Sequence, residues 1–246
     1  MERFREYQLM MLGVCLAVGL VLSSAILTGG FMAFKRAETQ TITVTGAASE
    51  FLSSDFAKWQ PTISRRDVSA GDAYLALKQD AETARKYFLK KGLSPAEIKM
   101  SPPSTETIYA RDANGNVTNR VEGYIVRQSF DIQSNNIAKI EQLASEAMEL
   151  SHQGIFISTA LPQYFYSRLD DIKVKMLAKA TENAKQRAEA MARSTGNHIG
   201  PMRSSQMGVF QITPRHSTDV SDYGINDTST PDKKVTAVVN VTFSLE

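Results

Sequence analysis

One cysteine, one tryptophan and three histidines in 246 residues leave little material for several kinds of chemistry. The cysteine, Cys15, lies inside an apolar run, so the rest of the chain can form no disulfide, present no thiolate nucleophile and build no cysteine metal site. His152, His198 and His216 each stand alone, outside any His-Glu-x-x-His pattern, and zinc is not indicated. No Gly-x-Ser-x-Gly, Gly-x-Gly-x-x-Gly or phosphate-loop Gly-Lys-Ser/Thr is present. That removes the nucleophile elbow, the dinucleotide fingerprint and the P-loop. An excess of one charge is also missing: 28 Lys+Arg stand against 26 Asp+Glu. Arg3, Arg5, Lys35 and Arg36 against Glu2 and Glu6 account for the difference, so residues 37–246 hold equal numbers of each sign. A nucleic-acid-binding domain needs a net basic face, and no nucleic-acid partner is expected.

What is present begins with hydrophobicity. From Tyr7 through Phe34 there is no charged residue. A bilayer span needs about 20 apolar residues, and this run is long enough. A secretory signal peptide is the competing reading, with Ser23-Ser24-Ala25 as its cleavage site. The apolar run continues past that site through Ile26, Leu27 and Phe31, which favours an uncleaved signal-anchor. Two basic residues flank each end, so charge counting does not set the orientation. The expected division is an anchor over 1–36 that meets the membrane with residues 8–34, a linker over 37–41 and a folded part over 42–246. That folded part is expected on the extracytoplasmic side.

The folded part alternates two periodicities. "TITVTGA" has the period of two of a strand. "DFAKWQPTIS" reads as one more strand, an edge or a bulged one, because Pro61 cannot donate to a ladder. Ser69 opens a helix whose stripe is Ala70, Tyr74, Leu77, Ala81, Ala84 and Phe88, stopped at Gly92. Strands near Glu106–Arg111 and through Tyr124, Val126, Phe130 and Ile132 flank an Asn114-Gly115 turn. Ser134 or Asn135 caps a second helix through Leu150. "IFISTALPQYFY" follows as a strand with Ile155, Ile157 and Leu161 in register. A third helix spans Arg168 to Ser194, with Leu177, Ala180, Ala184, Ala188, Met191 and Ala192 as its stripe. Small residues at those positions suit close packing, and the stripe lacks the large heptad residues of a free coiled coil. A strand within 200–212, a mobile polar loop over 214–234 and a strongly alternating last strand complete the order β-β-α-β-β-α-β-α-β-β. This predicts an α+β fold of two small subdomains, each a sheet with helices on its faces, preceded by one transmembrane helix.

No catalytic constellation emerges. Asp170 and Asp171 are adjacent and point about 100° apart on a helix, so they form no dyad and instead suit the first turn. Asp112, Asn114 and Asn116 imitate the start of a calcium loop, but the glycine falls fourth rather than sixth and Gly123 stands twelfth. Turn chemistry explains them better. Arg65-Arg66 reads as a solvated strand end. No catalytic, cofactor-binding or metal residue and no cofactor is expected.

Four stretches resemble the SIMPL-domain family: "ITVTGAASEFLSSDFA", "YFLKKGLSPAEIKMSPPSTETIY", "GYIVRQSFDIQSNNIAKIEQL" and "LAKATENAKQRAEAMARSTGNHIGPM" with the final "VTAVVNVTFSLE". Their order and spacing carry the resemblance more than any one motif does. Met100-Ser101 and Ala47-Ala48 depart from the family pattern. The resemblance implies a bacterial envelope protein, periplasmic or membrane-anchored, with two α+β subdomains. It also implies homo-oligomers in some members and a link to oxidative-stress protection in others. It implies no catalytic residues. The expectation is therefore a membrane-anchored scaffold or interaction module, with a small-ligand or peptide-binding module and a carboxylate-based envelope hydrolase as alternatives.

Overall fold

The computed structural model describes the backbone of residues 2–246, and the side chains of residues 11, 13, 16–32, 35 and 40–246. Helix α1 spans Glu2–Thr39. Part of the expected anchor, Cys15 included, lies outside the described side chains. Among the described residues no helix is long and apolar enough to cross a membrane.

The rest is a mixed α+β structure with two sheets. It divides into two compact units, and neither is one contiguous stretch. Residues 1–48, 175–208 and 237–246 form the first, and residues 49–174 and 209–236 the second.

The first unit holds parts of β1 (Thr41–Ser53), α5 (Leu169–Ser194) and β12 (Asp232–Leu245), together with β9 (Ile199–Met207). Strand β12 lies between β1 and β9. The Thr43–Thr242 and Thr45–Asn240 side-chain bonds descend along β12 as β1 ascends, so that pair is antiparallel. Val44, Val239, Val241 and Phe243 are buried on the covered face. The buried residues of α5 are Met176, Ala180, Ala184, Ala188 and Ala192, an uninterrupted step of four. The expected stripe is corrected at Leu177, which is only half-buried, and at Met191, which is exposed. Each step of four turns about 400°, so one row of methyl-sized residues faces the sheet and the wider flanks stay wet.

That narrow row lets the backbones meet. A Cβ built on Gly46 would fall 2.6 Å from Ala184 Cβ and against the Ala180 carbonyl. The contact is locked on both sides of the glycine. Arg187 donates to the Thr45 carbonyl at 3.0 Å, and Ala47 N–H donates to Asn183 Oδ1 at 3.2 Å.

The second unit is organised by the 18-residue strand β6 (Val117–Ser134). On one side it pairs with β3 (Thr62–Asp67) and then β2 (Phe56–Trp59), and on the other with β5 (Ser104–Arg111) and then β4 (Ile98–Met100). Both sides are broken where proline removes a donor. Pro61 separates β2 from β3 but still accepts from Phe130 N–H at 2.9 Å. The expected single edge or bulged strand is therefore corrected to two interior strands, since β7 (Phe156–Ser158) pairs with β3 and β8 (Gln163–Phe165) with β2. The stretch "IFISTALPQYFY" likewise splits, and Leu161 is 87% exposed rather than in register. Pro162 ends any ladder between the two strands.

Helix α2 (Ala70–Lys90) covers this sheet. Ser69 Oγ accepts from Asp72 N–H as a cap, and Asp67 accepts from Ser69 N–H. The buried face is Ala73, Leu77, Ala81, Ala84 and Phe88. Ala73 replaces the expected Ala70, which is half-buried, and Tyr74, which is exposed. Phe88 stands edge-on between Trp59 and Phe130, with ring centroids at 5.7 and 5.3 Å. Asp80 is also buried and bonds Arg65 on β3. Arg65 is thus an ion-pair partner rather than a solvated end, and Arg66 pairs with Glu122 at 2.9 Å.

The remaining pieces are β10 (Gln211–Pro214), which pairs with β12, and β11 (Ile225–Asn226), which pairs with β10. The expected loop over 214–234 therefore contains a strand and the start of β12. Its turn is pinned by Asp227, which accepts from Ser229 N–H at 2.9 Å and from the hydroxyls of Ser229 and Thr230.

Gly46→Ala should destabilise the chain by about 1–3 kcal/mol, the range for overpacking a close contact. Urea denaturation of the full chain checks this. Ala48→Gly, one strand period away, is the control and should cost about 1 kcal/mol or less.

Candidate functional site

The groups singled out in the sequence are not brought together into a site. His152 ends the short helix α4 (Glu149–His152), His198 exchanges backbone bonds of 2.8 Å with Glu246, and His216 lies exposed in the loop after β10. Asp170 and Asp171 occupy the first turn of α5, where Asp170 bonds Lys173 at 3.0 Å. Asp112 accepts from the Asn114 and Asn116 amides at 2.9 Å, which makes it a turn residue whose carboxyl is held below its ordinary range by those donors. Among the described residues no three His, Cys, Asp or Glu side chains are grouped to hold a metal ion.

The second unit contains a cleft beside α3 (Ile137–Glu146). The helix starts at Asn136, whose side chain accepts from Lys139 N–H at 3.1 Å. The expected cap at Ser134 or Asn135 is corrected, because Ser134 donates to Glu97 and Asn135 to the Asp55 carbonyl. The helix also stops earlier than its apolar stripe suggests, with Ala147 as its C-cap before α4 begins. Ile140 and Leu143 face the core. Glu141, Ala144 and Ser145, three and four residues apart, share another side and form one wall of a cleft of about 260 Å³. That is just under the usual range for ligand cavities, roughly 300–1,000 Å³.

The opposite wall is residues 159–162 with Tyr164. Trp59 Nε1 donates to the Ala160 carbonyl at 2.9 Å and ties this loop to the core. Tyr164 is placed by strand β8, opposite Ala57, and its N–H donates to the Thr228 carbonyl at 2.8 Å. Its ring is buried, and Glu141 shares the lining of the cleft with it. Burial, then the Glu141 carboxylate, push the phenol up to about 12. The phenol therefore stays a neutral donor at any physiological pH. Glu141 is the one charged residue of the lining, and the Ser145 hydroxyl is turned to the Gln142 carbonyl at 2.7 Å. The cleft offers one negative charge, one phenol, the Thr159 hydroxyl and aliphatic surface.

A second, smaller cavity of about 60 Å³ lies against Leu52, Tyr166, Ile212, Asp227 and Lys233. Lys233 is 3% exposed, and its ammonium donates to the carbonyls of Asp227 and Thr230 at 2.6 and 2.7 Å and to Asp227 Oδ2 at 3.3 Å. Burial pulls the Lys233 pKa below its ordinary value, against the opposing pull of Asp227. Burial opposes ionisation of Asp227 too, but the Ser229 and Thr230 donors and the Lys233 charge outweigh it and hold the carboxyl far below its usual range. All three ammonium hydrogens are committed, so this cluster closes a turn and has no free group for a ligand.

Neither Glu141 nor Tyr164 was among the residues the sequence marked. Glu141 looks like a wet helix position, and Tyr164 like one aromatic among several. An alkaline titration followed at the tyrosinate absorbance should show a late step near pH 12, absent in Tyr164→Phe and moved down in Glu141→Gln. The sign for stability follows. An unfolded tyrosine loses its proton near pH 10 while folded Tyr164 keeps it, so its contribution to stability falls as pH rises from about 10 to about 12.

Against known proteins, a family model described as SIMPL, protein of unknown function (DUF541), matches residues 42–243. No curated protein matches. Among solved structures, a suspected aminohydrolase from methicillin-resistant Staphylococcus aureus is similar at 14% identity and a TM-score of 0.25. The match covers 50% of this chain and 31% of that one, too slight a likeness to carry an argument.

Proposed function

The chain belongs to the SIMPL family, and on that premise we propose that it is a membrane-anchored binding module of the cell envelope, with its α+β part outside the membrane. The observation that carries the binding role is the α3 cleft, where a buried phenol and a carboxylate meet above an apolar floor. A binding role suits it better than hydrolysis, because Asp170 of the hydrolase alternative lies on an exposed helix turn, paired with Lys173. The anchor is supported by the uncharged run Tyr7–Phe34 and by the exposure of residues 16–32 all round helix α1. A helix that is apolar on every side needs an apolar surround.

Carbonate-washed membranes should retain the full chain, and protease added to the outer face of intact cells or spheroplasts should remove residues 42–246. Recovery of the chain in the soluble fraction, or of a product starting near Ala25, would refute the anchor. A panel of envelope metabolites should contain a compound that raises the melting temperature by mass action.

An oligomeric scaffold is the second reading, favoured by the β5–β6 ribbon. Tyr109 and Val121 face each other across it, each 45% exposed, and Val117 is 60% exposed. A two-stranded ribbon is marginal in water by itself, and covering it with a second copy would stabilise it. Light scattering of the detergent-solubilised chain should show an oligomer that Val121→Asp dissociates. A monomer across a wide concentration range sinks this reading.

A further inference from the structure

We infer that the end of the first unit at which α1 enters is seated in the phospholipid headgroup layer of the membrane that holds α1. This rests on the reading of α1 as an anchor and adds a lipid surface for the folded part. As helix, the uncharged run Tyr7–Phe34 measures about 42 Å, against about 30 Å of hydrocarbon. Tilt absorbs the excess, and Lys35, at the end of the run, stands at the level of the headgroups. The layer beyond the hydrocarbon is about 5–7 Å deep on each side.

No slack separates that level from the sheet. Helix α1 continues to Thr39 through the stretch expected to be a linker, and β1 begins at Thr41. The Gln40 carbonyl between them already belongs to the sheet, accepting from Leu245 N–H at 2.9 Å. From Lys35 to Gln40 a helical path rises about 7.5 Å. His198 exchanges its two backbone bonds with Glu246 at 2.8 Å, which brings the start of β9 level with the end of β12. Asn197 N–H donates to the Ala192 carbonyl at 2.9 Å, so the turn after α5 belongs to the same rim. A flexible linker would let this rim drift from the bilayer. A helix that passes into a strand within one residue holds it there.

The side chains of the rim set the depth from the other direction. Residues 193–198 are exposed, and none of them is apolar. Arg193 touches Glu189 at 3.4 Å through one nitrogen, and its guanidinium has further donors of the geometry that suits phosphate. Thr195, Asn197 and His198 add neutral polar groups, and Glu246 adds a carboxylate. Hydrocarbon would leave both signs of charge without partners. A layer of phosphates and ammoniums meets both. The short connection keeps the rim from rising above the headgroups, and its polarity keeps it from sinking below them. The same holds on either side of the membrane.

The test uses the full chain in vesicles of phosphatidylcholine and phosphatidylethanolamine. Cys15→Ser removes the native thiol, and an environment-sensitive fluorophore is attached through Asn197→Cys on the rim or through Gln206→Cys further along β9. Both positions are exposed, and about 30 Å of strand separates them. The quencher is phosphatidylcholine with a nitroxide on its headgroup. The fluorophore at 197 should lose most of its emission, and the one at 206 should keep most of it. Thr195→Cys, on the same turn, repeats the reading if Asn197→Cys lowers the melting temperature. Flotation of the vesicles separates the two ideas. A chain left in the dense fraction sinks the anchor, and the seating with it. A chain that floats, yet is quenched at 197 no more than at 206, overturns the seating alone.

Discussion

The second unit depends on the length of one strand. Strand β6 is long enough to pair with four others, two on each side, and each side changes partner where a proline interrupts its neighbour. Without an N–H at Pro61 the ladder cannot run on, yet the Pro61 carbonyl still accepts from Phe130, so the sheet survives the break. The change of partner turns β2 away from β3 and gives each its own outer neighbour. That is how β8, and with it Tyr164, reaches the neighbourhood of α3.

The first unit obeys a different constraint, closeness. Alanines spaced by four, facing a glycine in the strand, remove the side-chain layer that normally separates helix from sheet. What remains is backbone against backbone, with Asn183 and Arg187 bonding the main chain on either side of Gly46. The mixed charges of this helix lie on its wet flanks, where Arg193 pairs with Glu189. Such an arrangement tolerates little change at Gly46 and much change at the exposed positions. This explains why an alanine-rich helix with alternating charge need be neither a coiled-coil arm nor a nucleic-acid helix.

The periodicities read correctly wherever one face of an element is buried along its whole length. Helix α2 from Leu77 to Phe88, the α5 alanines and the last strand are examples. They failed where a short element is held by partners distant in sequence. The strand expected over 155–166 divides because its halves pair with β3 and β2. The cap expected at Ser134 moves to Asn136 because Ser134 is taken by Glu97, 37 residues earlier. Asp227 and Lys233 sit in a stretch polar enough to read as a mobile loop. Their burial comes from six residues folding back on themselves, which no local pattern signals.

By itself the sequence determined the class of the fold and the family. The class follows from period, and the family from the order of four stretches it resembles; both are read along the chain. Only the tertiary structure decided which carboxylate lines a cleft. Glu141 is one of many acidic residues, and it differs from the rest because it lines a cleft with a buried tyrosine from a separate strand. A shared cleft and a desolvated ring depend on distance in space, and the spacing of residues 141 and 164 along the chain gives no measure of that distance.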